Sequence, residues 1–389
     1  MKIALLSETY QPLNGGVEQA VKQLALHIPS QFDVTVFAHL FEFVPHSLFV
    51  KYSCRQRYRK SFQSSSDVSV TEIHPTFLSK LLLLPLLVWQ MPLIKKLNAP
   101  KLFDILYFFY RLAYRTQFRQ FIRNYDIVHC FSTGYVARLA AHICREENIP
   151  LIQSPYIHFE KWGDSPKQME AYCSGEVVIC HSQEYRMKLL RHYSCKARTE
   201  IIPPVISDPV VLDTKKEGID GEYFLFLGRR EPHKGLLELL EAFGNTQTSV
   251  KLVIAGPGKP VHDSSGRVID LGVVDESTKA QLFQKCLFLC VPSREETFGI
   301  VFTEAMSYGK PVLSLDIPPI NEIVENGKSG ILTPVNDKES LKRALLRLIS
   351  DSRLRDRLGQ NALLRFKTEF SSRVTMKKIL SLYQELADS

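Results

Sequence analysis

Short apolar runs alternate with amphipathic stretches along most of the chain, and this alternation predicts parallel β-sheets flanked by helices. The strand-like runs of the first half are Lys2–Leu6, Val34–Ala38, Ile127–Phe131, Leu151–Ser154 and Val177–Cys180. Those of the second half are Tyr223–Leu227, Lys251–Ala255, Leu287–Val291 and Pro311–Leu315. The polar stretch 213–221 between the two series is typical of a linker or an exposed loop. The sequence therefore predicts two successive α/β units.

The length of the chain agrees with this division, because 389 residues are too many for one ordinary core and suit two domains. We predict a first Rossmann-like domain over 1–204, with an insertion at about 41–125, and a second over 205–370. A C-terminal helix is predicted over 371–389, capped by Ser371 or Ser372, and it can cross back to the first domain. The composition, 45% hydrophobic and 23% charged, is that of a globular protein.

The eight cysteines include no Cys-x-x-Cys pair, and several lie within the strand-like runs. They are typical of reduced, buried thiols in a cytosolic protein. The apolar run that opens the chain meets Glu8 before it reaches the length of a signal peptide. We therefore expect a cytoplasmic location.

Positive charge is concentrated in one segment. The net charge of the chain is +8, and residues 41–125 alone hold 13 Lys and Arg against 4 Asp and Glu. The same segment contains the apolar run Leu81–Trp89, which is shorter than the roughly 20 residues that a bilayer span needs. Nucleic-acid binding is one function that such charge suggests, but the long aliphatic runs match no module of that kind. We expect no nucleic-acid partner.

A helix is predicted after Pro100, over 101–123, with arginines at every fourth position that form one stripe. These are Arg111, Arg115, Arg119 and Arg123. A core helix with a solvated arginine edge is one interpretation. The neighbouring aliphatic run and the local charge favour the other, a surface that meets anionic lipid. We therefore predict peripheral association with the cytoplasmic face of a membrane through residues 75–123.

The sequence contains no complete copy of the common nucleotide-binding or metal-binding motifs. Gly327-Lys328-Ser329 resembles the end of a phosphate loop, but Glu322 stands where that loop requires glycine. Gly256-Pro257-Gly258 lacks the third glycine of the dinucleotide fingerprint. The chain contains no Asp-x-Asp pair and no cluster with metal-ligand spacing, so we expect neither a metal nor another cofactor.

Two turns of the second half carry candidate chemistry. The turn Gly228–Gly235 follows a strand and holds Arg229 and Lys234, two cations that could face an anion at the start of a helix. The turn Pro292–Gly299 also follows a strand and opens a helix that carries Glu304. Glu296 and Glu304 are eight residues apart, which along a helix is roughly 12 Å. This spacing suits carboxylates that bind hydroxyls at opposite ends of an extended ligand.

The run from Pro292 to Pro311 resembles the signature of family 4 retaining glycosyltransferases, which have the GT-B fold. The family shows two glutamates separated by seven residues, with Phe-Gly after the first and Glu-Ala-Met before Gly-x-Pro. The corresponding segments here are Glu296, Phe298-Gly299, Glu304-Ala305-Met306 and Gly309-Lys310-Pro311. The resemblance extends to Gly228-Arg229, Lys234-Gly235 and Gly15-Gly16. It implies an α/β fold of two Rossmann-like domains whose parallel sheets face each other across a cleft.

The resemblance also implies a role for each site residue. Arg229 and Lys234 would neutralise the diphosphate of a UDP or GDP donor, Glu304 would bind its ribose, and Glu296 would hold a hexose-type sugar. His158 would approach that sugar, with His129 and His181 as competing candidates. The implied donor-binding set is Gly15, Gly16, Gly228, Arg229, Lys234, Phe298, Gly299, Ile300, Val301 and Glu304.

The acceptor that we expect is a lipid-linked saccharide or a glycolipid, in the synthesis of cell-envelope polysaccharide. Two segments depart from the family pattern, namely Ile202–Val205 in place of Pro-Asn-Gly and Asp316–Pro319 in place of a glycine pair. The second departure lies in the loop on the sugar side. The alternatives are a GT-B nucleotide-sugar epimerase or phosphorylase, and a catalytically silent scaffold docked on membranes.

Overall fold

The computed structural model describes residues 1–7, 16–38, 68–72, 76–85, 100–157, 159, 166–211, 219–244, 246–263 and 265–388. The chain divides into two compact units. The first comprises Met1–His181, Arg186–Ile202 and Met376–Ser389, and the second comprises Ser182–Tyr185 and Pro203–Thr375.

The first unit contains a sheet of seven parallel strands in the order β3-β2-β1-β4-β5-β6-β7. Its strands are β1 (Lys2–Ser7), β2 (Asp33–Ala38), β3 (Ser69–Glu72), β4 (Ile127–Cys130), β5 (Leu151–Gln153), β6 (Val177–Cys180) and β7 (Arg198–Ile201). The central strands are apolar on both faces, as expected for a parallel sheet covered by helices.

Helices follow most of these strands. They are α1 (Gly16–His27), α2 (Phe77–Leu82), α3 (Pro100–Ile122), α4 (Gly134–Glu147), α5 (Pro166–Tyr172) and α6 (Gln183–Tyr193). The helix predicted over 101–123 is confirmed as α3, whose buried side includes Tyr110, Tyr114 and Phe118. The hydroxyl of Ser79 on α2 donates a 2.8 Å hydrogen bond to the carbonyl of Ala113, which ties α2 to α3.

The second unit contains a sheet of six parallel strands in the order β10-β9-β8-β11-β12-β13. Its strands are β8 (Tyr223–Leu227), β9 (Lys251–Ala255), β10 (Val268–Asp270), β11 (Leu289–Cys290), β12 (Val312–Leu315) and β13 (Gly330–Thr333). Its helices are α7 (Leu236–Gly244), α8 (Glu276–Lys285), α9 (Ile300–Ser307), α10 (Ile320–Ile323), α11 (Lys338–Ser350) and α12 (Ser352–Arg365). The expectation of two Rossmann-like α/β domains with parallel sheets is confirmed.

The last helix, α13 (Ser372–Ala387), begins in the second unit and ends in the first. Inside the first unit the hydroxyl of Tyr383 lies 2.7 Å from Nδ1 of His129, and both side chains are fully buried. This polar contact joins the end of the chain to strand β4. The C-terminal helix predicted over 371–389 is thus present as α13.

Two sequence expectations need correction. Each strand predicted from an apolar run is present, but β3, β7, β10 and β13 were not singled out, and they are the four edge strands. The prediction of reduced cysteines is wrong for Cys173 and Cys195, which form a disulfide with Cα atoms 5.4 Å apart. This bond joins the ends of α5 and α6. The other described cysteines are free and buried, as expected.

Candidate functional site

The two candidate turns lie side by side at the carboxyl edge of the second sheet, because the strands that they follow, β8 and β11, are neighbours. Gly235 ends the first turn with a φ of +73°, and a Cβ atom there would lie 2.2 Å from the carbonyl oxygen of Pro292. Only glycine allows this approach. The backbone N–H of Arg294 donates to the carbonyl of His233 at 2.7 Å and ties the second turn to the first.

Lys234 and Glu296 form an ion pair between the two turns. The Nζ atom of Lys234 lies 2.7 Å from Oε1 of Glu296, and the side chains are only 14% and 7% exposed. Residues that lie 62 positions apart thus share one enclosed polar contact. A cation and a carboxylate in this position can face the phosphate and the hydroxyl groups of one ligand.

Arg229 and Arg230 have different surroundings although they are adjacent in sequence. Arg229 is 57% exposed and lies 2.9 Å from the carboxylate of Glu231. The Arg230 side chain is 4% exposed and binds Asp270 through both terminal nitrogens. Arg230 is therefore tied to the end of β10, whereas Arg229 is largely exposed beside Glu231.

Asp270 is held by several donors in addition to Arg230. Its carboxylate accepts the backbone N–H groups of Val261 and Gly272 at 2.7 and 2.8 Å. Burial acts to raise the pKa of Asp270, but these hydrogen bonds and the guanidinium outweigh it, so the pKa lies below its usual value. The Asp270 carboxylate therefore remains ionised at neutral pH.

Helix α9 begins at Ile300, and its N-cap is Gly299 with a φ of +95°. Glu296 thus lies in the turn before the helix, and the spacing of roughly 12 Å, which assumed helix from Glu296 to Glu304, does not apply. The first backbone N–H groups of the helix, those of Ile300 and Val301, precede the first internal hydrogen bonds and are suited to an anion. The Phe298 side chain is buried against Phe370, so it is a core residue.

Glu304 is paired with a residue that the sequence did not mark. Its Oε1 atom lies 2.8 Å from Nζ of Lys279 on α8, and Lys279 also contacts Glu276. Lys279 stands on a short helix among polar neighbours, where a solvated lysine is the ordinary expectation. No spacing or motif distinguishes it.

The predicted residues of the first unit are only partly described. Gly16 is the first residue of α1 and is exposed, whereas Gly15 and His158 lie outside the described residues. His129 and His181 are buried, and burial lowers their pKa values to about 3 and about 4. His129 contacts Ser154 and Tyr383, and Nδ1 of His181 donates to a backbone carbonyl. Both histidines are neutral groups of the core.

Two of the three arginines on α3 have acidic partners on α4, and Arg123 of the predicted stripe lies one residue beyond α3. Arg115 lies 3.0 Å from Glu146, and Arg119 pairs with Glu147. The arginine stripe therefore faces a row of glutamates over part of its length, which reduces its net positive charge. Arg111 and Arg123 form no salt bridge within the described part of the chain.

Six large apolar side chains are exposed on α3 and on the segment 76–85, whose helix α2 packs against α3. Leu78, Leu81 and Leu84 belong to the α2 segment, and Ile105, Phe108 and Leu112 to α3, with exposures between 49% and 67%. We call these six residues the apolar patch.

Among the described helices none is long and apolar enough to cross a membrane. Within the same residues no group of three metal-binding side chains converges.

Family models match both halves of the chain. The model described as Glycosyltransferase Family 4 matches residues 14–208, half of the chain, and the model described as Glycosyl transferases group 1 matches residues 212–365.

Three relatives illustrate the range of similar proteins. An uncharacterized glycosyltransferase of Methanocaldococcus jannaschii is 30% identical over 56% of this chain and 62% of its own length. A phosphatidyl-myo-inositol mannosyltransferase of Mycobacterium leprae is 32% identical over 43% and 48%. The O-antigen chain mannosyltransferase C of Escherichia coli is 27% identical over 58% and 64%. The chain thus spans about half to two thirds of the curated relatives that it matches.

Solved structures share the fold at low sequence identity. Anabaena HepE in complex with UDP and glucose is 18% identical, with a TM-score of 0.69 over 99% of this chain and 100% of that one. The sucrose-phosphate synthase of Thermosynechococcus elongatus is 18% identical, with a TM-score of 0.72 over the full length of both chains. The expected GT-B fold is confirmed.

Proposed function

We propose that this chain, which belongs to glycosyltransferase family 4, moves a hexose-type sugar from UDP or GDP to an acceptor hydroxyl. The observation that carries the proposal is the enclosed pair of Lys234 and Glu296, together with the exposed guanidinium of Arg229 in the same turn as Lys234. In this arrangement two cations meet the diphosphate and a carboxylate meets the sugar. The UDP and glucose named with the Anabaena structure support a donor of this class.

The chemistry that these residues support is transfer with retention of configuration. The bond between the anomeric carbon and the diphosphate breaks, the acceptor oxygen bonds to that carbon on the same face, and the acceptor proton leaves with the diphosphate. Lys234 and Arg229 stabilise the negative charge that grows on the leaving group. Loss of one such preorganised donor costs on the order of 10²–10³ in rate.

The two glutamates of the proposed Glu-x7-Glu signature have separate tasks. Glu296 holds the sugar hydroxyls beside Lys234, and Glu304 accepts the ribose hydroxyls of the nucleotide. The backbone N–H groups of Ile300 and Val301 bind phosphate oxygens at the start of α9. His158, which lies outside the described residues, is assigned to the donor sugar on the family resemblance alone. We further propose that transfer needs no divalent cation, because Lys234 and Arg229 supply the charge that a metal would otherwise supply.

A donor screen followed by product analysis tests this proposal. UDP- and GDP-hexoses at 100 times their dissociation constants should stabilise the protein by about 2.7 kcal/mol. With an acceptor, the product should keep the anomeric configuration of the donor, and EDTA should leave the rate unchanged. Absence of stabilisation by any nucleotide sugar would contradict a donor site. An epimerised donor without acceptor would favour the epimerase, and EDTA inhibition reversed by Mg²⁺ or Mn²⁺ would refute metal independence.

We propose an acceptor that is a lipid-linked saccharide or a glycolipid, used in cell-envelope polysaccharide synthesis and reached at an anionic membrane surface. The apolar patch supports this proposal, since three of its residues share α3 with the basic stripe, and apolar side chains together with cations suit a membrane surface. The name of the mycobacterial relative, which acts on a phosphatidyl-inositol, also supports a lipid acceptor.

Liposome sedimentation tests the membrane surface. The variant Leu81→Ser/Phe108→Ser/Leu112→Ser should pellet less with anionic vesicles than the wild type. The matched control Leu237→Ser/Leu364→Ser removes exposed leucines of the second unit and should pellet normally. Equal pelleting of wild type and patch variant would refute the patch as a membrane contact and favour a soluble acceptor.

A further inference from the structure

Lys279 lies between two carboxylates at the edge of the proposed nucleotide site. Its Nζ atom is 2.8 Å from Oε1 of Glu304 on α9 and 2.8 Å from Oε2 of Glu276 on its own helix. The two carboxylates differ in exposure, because the Glu304 side chain is 22% exposed and the Glu276 side chain 58%. Lys279 itself is 20% exposed. The contact with Glu304 is therefore the enclosed one, and it joins two helices.

Lys279 carries a positive charge in this contact. Burial acts to lower the pKa of Lys279, but the carboxylates of Glu304 and Glu276 outweigh it, so the pKa lies above its usual value. Lys279 is thus an ammonium ion at neutral pH. This ammonium ion donates a 2.8 Å hydrogen bond to Oε1 of Glu304, and a carboxylate can only accept hydrogen bonds.

An acceptor of this kind suits the two hydroxyl donors of a ribose. A glutamate without such a contact samples several rotamers, and binding a ligand would then cost the ordering of that side chain. Lys279 removes this cost because it holds one carboxylate oxygen before the ligand arrives. Because the carboxylate is planar and rigid, this contact also restricts the position of the second oxygen, Oε2 of Glu304.

We propose that Lys279 is a positioning residue for nucleotide recognition, which holds the carboxylate of Glu304 in the orientation that accepts the ribose hydroxyls. This inference rests on the proposed function, since it assigns the nucleotide ribose to Glu304. It adds a residue on α8 to a site built from the turns after β8 and β11. Lys279 acts through Glu304 and need not touch the ligand.

Calorimetry with paired nucleotides tests this role. The ligands are UDP and GDP, each compared with its 2′,3′-dideoxy form, which lacks the ribose hydroxyls. Lys279→Met should bind the ribonucleotides about tenfold more weakly, the loss expected when charge-assisted hydrogen bonds are weakened. It should bind the dideoxy forms like the wild type. Lys279→Arg keeps the cation and should restore most of the ribonucleotide affinity.

Two further variants separate positioning from folding. Glu276→Gln removes the exposed partner of Lys279 and should change affinity less than twofold, as expected for a solvated pair. In a Glu304→Ala background Lys279→Met should have no additional effect on binding, because the interaction that it supports is already lost. Thermal unfolding of each variant shows whether the fold is retained.

The outcomes distinguish this inference from the proposed function. Equal weakening of ribo and dideoxy forms, additive losses in the double variant, or wild-type affinity in Lys279→Met would overturn the positioning role while leaving the donor site intact. Failure of the wild type to bind either ribonucleotide would overturn the proposed function and the inference with it.

Discussion

Replacement of Lys234 by methionine should affect both stability and nucleotide binding, and the structure allows the two effects to be separated. Lys234 and Glu296 are 14% and 7% exposed, so the variant leaves a carboxylate largely buried without its cation. Removal of one partner costs about 3–5 kcal/mol in a buried pair and about 0.2–1 kcal/mol in an exposed one. The residual exposure of Lys234 places the expected loss at about 2–3 kcal/mol. The melting temperature should fall by roughly 5–10 °C.

The same variant should bind UDP and GDP about 10- to 100-fold more weakly, because a charge-assisted hydrogen bond to the diphosphate is lost. Calorimetry measures this affinity, and thermal or denaturant unfolding measures the stability. The matched control is Lys338→Met, which removes an exposed partner of Glu241. The control should lose less than about 1 kcal/mol of stability and none of its nucleotide affinity.

The double variant Lys234→Met/Glu296→Gln decides between a structural and a binding role. Without the buried carboxylate most of the lost stability should return, whereas the affinity for UDP and GDP should stay low. Recovery of nucleotide affinity together with stability would refute the assignment of Lys234 to the diphosphate. Unchanged affinity in the single variant would refute it as well.

Three further predictions concern other parts of the molecule. Glu304→Ala should lose affinity for free UDP and GDP, whereas Glu296→Ala should mainly lose discrimination between donor sugars; calorimetry with free nucleotide and a donor panel checks both. Burial and a neighbouring histidine lower the pKa of His129 from 6.5 to about 3, so the unfolded chain binds a proton that the folded chain excludes. Stability should therefore fall as the pH drops below about 6.5, by up to about 1.4 kcal/mol per unit, and urea unfolding of His129→Asn should show a shallower dependence. The Cys173→Ser/Cys195→Ser variant opens a loop of 22 residues, so its free energy of unfolding, measured in denaturant, should be about 3 kcal/mol lower than that of the wild type. An unchanged free energy of unfolding would show that the two thiols are reduced in the wild type.

The sequence alone predicted the central strands of both sheets, because a strand buried on both faces is a continuous apolar run. Strand β8, for example, is four residues of aromatic and aliphatic side chains with almost no exposure, followed by Leu227. The edge strands β7 and β10 escaped prediction for the opposite reason, since none of their residues is buried. In β7 every residue is exposed or half-buried, and its letters, Arg-Thr-Glu-Ile, do not differ from those of a loop. Only pairing with β6 makes it a strand.

The candidate site divides in the same way. Turns with glycine and paired charges after apolar runs are local features, so Arg229, Lys234, Glu296 and Glu304 could be selected from the sequence together with the family resemblance. Their partners could not. Lys234 meets Glu296, 62 residues away, because β8 and β11 are adjacent in the sheet. The sequence of neither turn indicates the order of the strands.

Packing between helices decided the remaining contacts. Lys279 reaches Glu304 from a neighbouring helix, and Arg115 and Arg119 meet glutamates of α4 instead of lying as unpaired charges along α3. Periodicity shows which face of a helix is polar, but the identity of the polar groups opposite depends on how two helices are placed together. Charge pairing across elements is therefore a property of the tertiary structure, whereas the location of the apolar runs that build the two sheets is a property of the sequence.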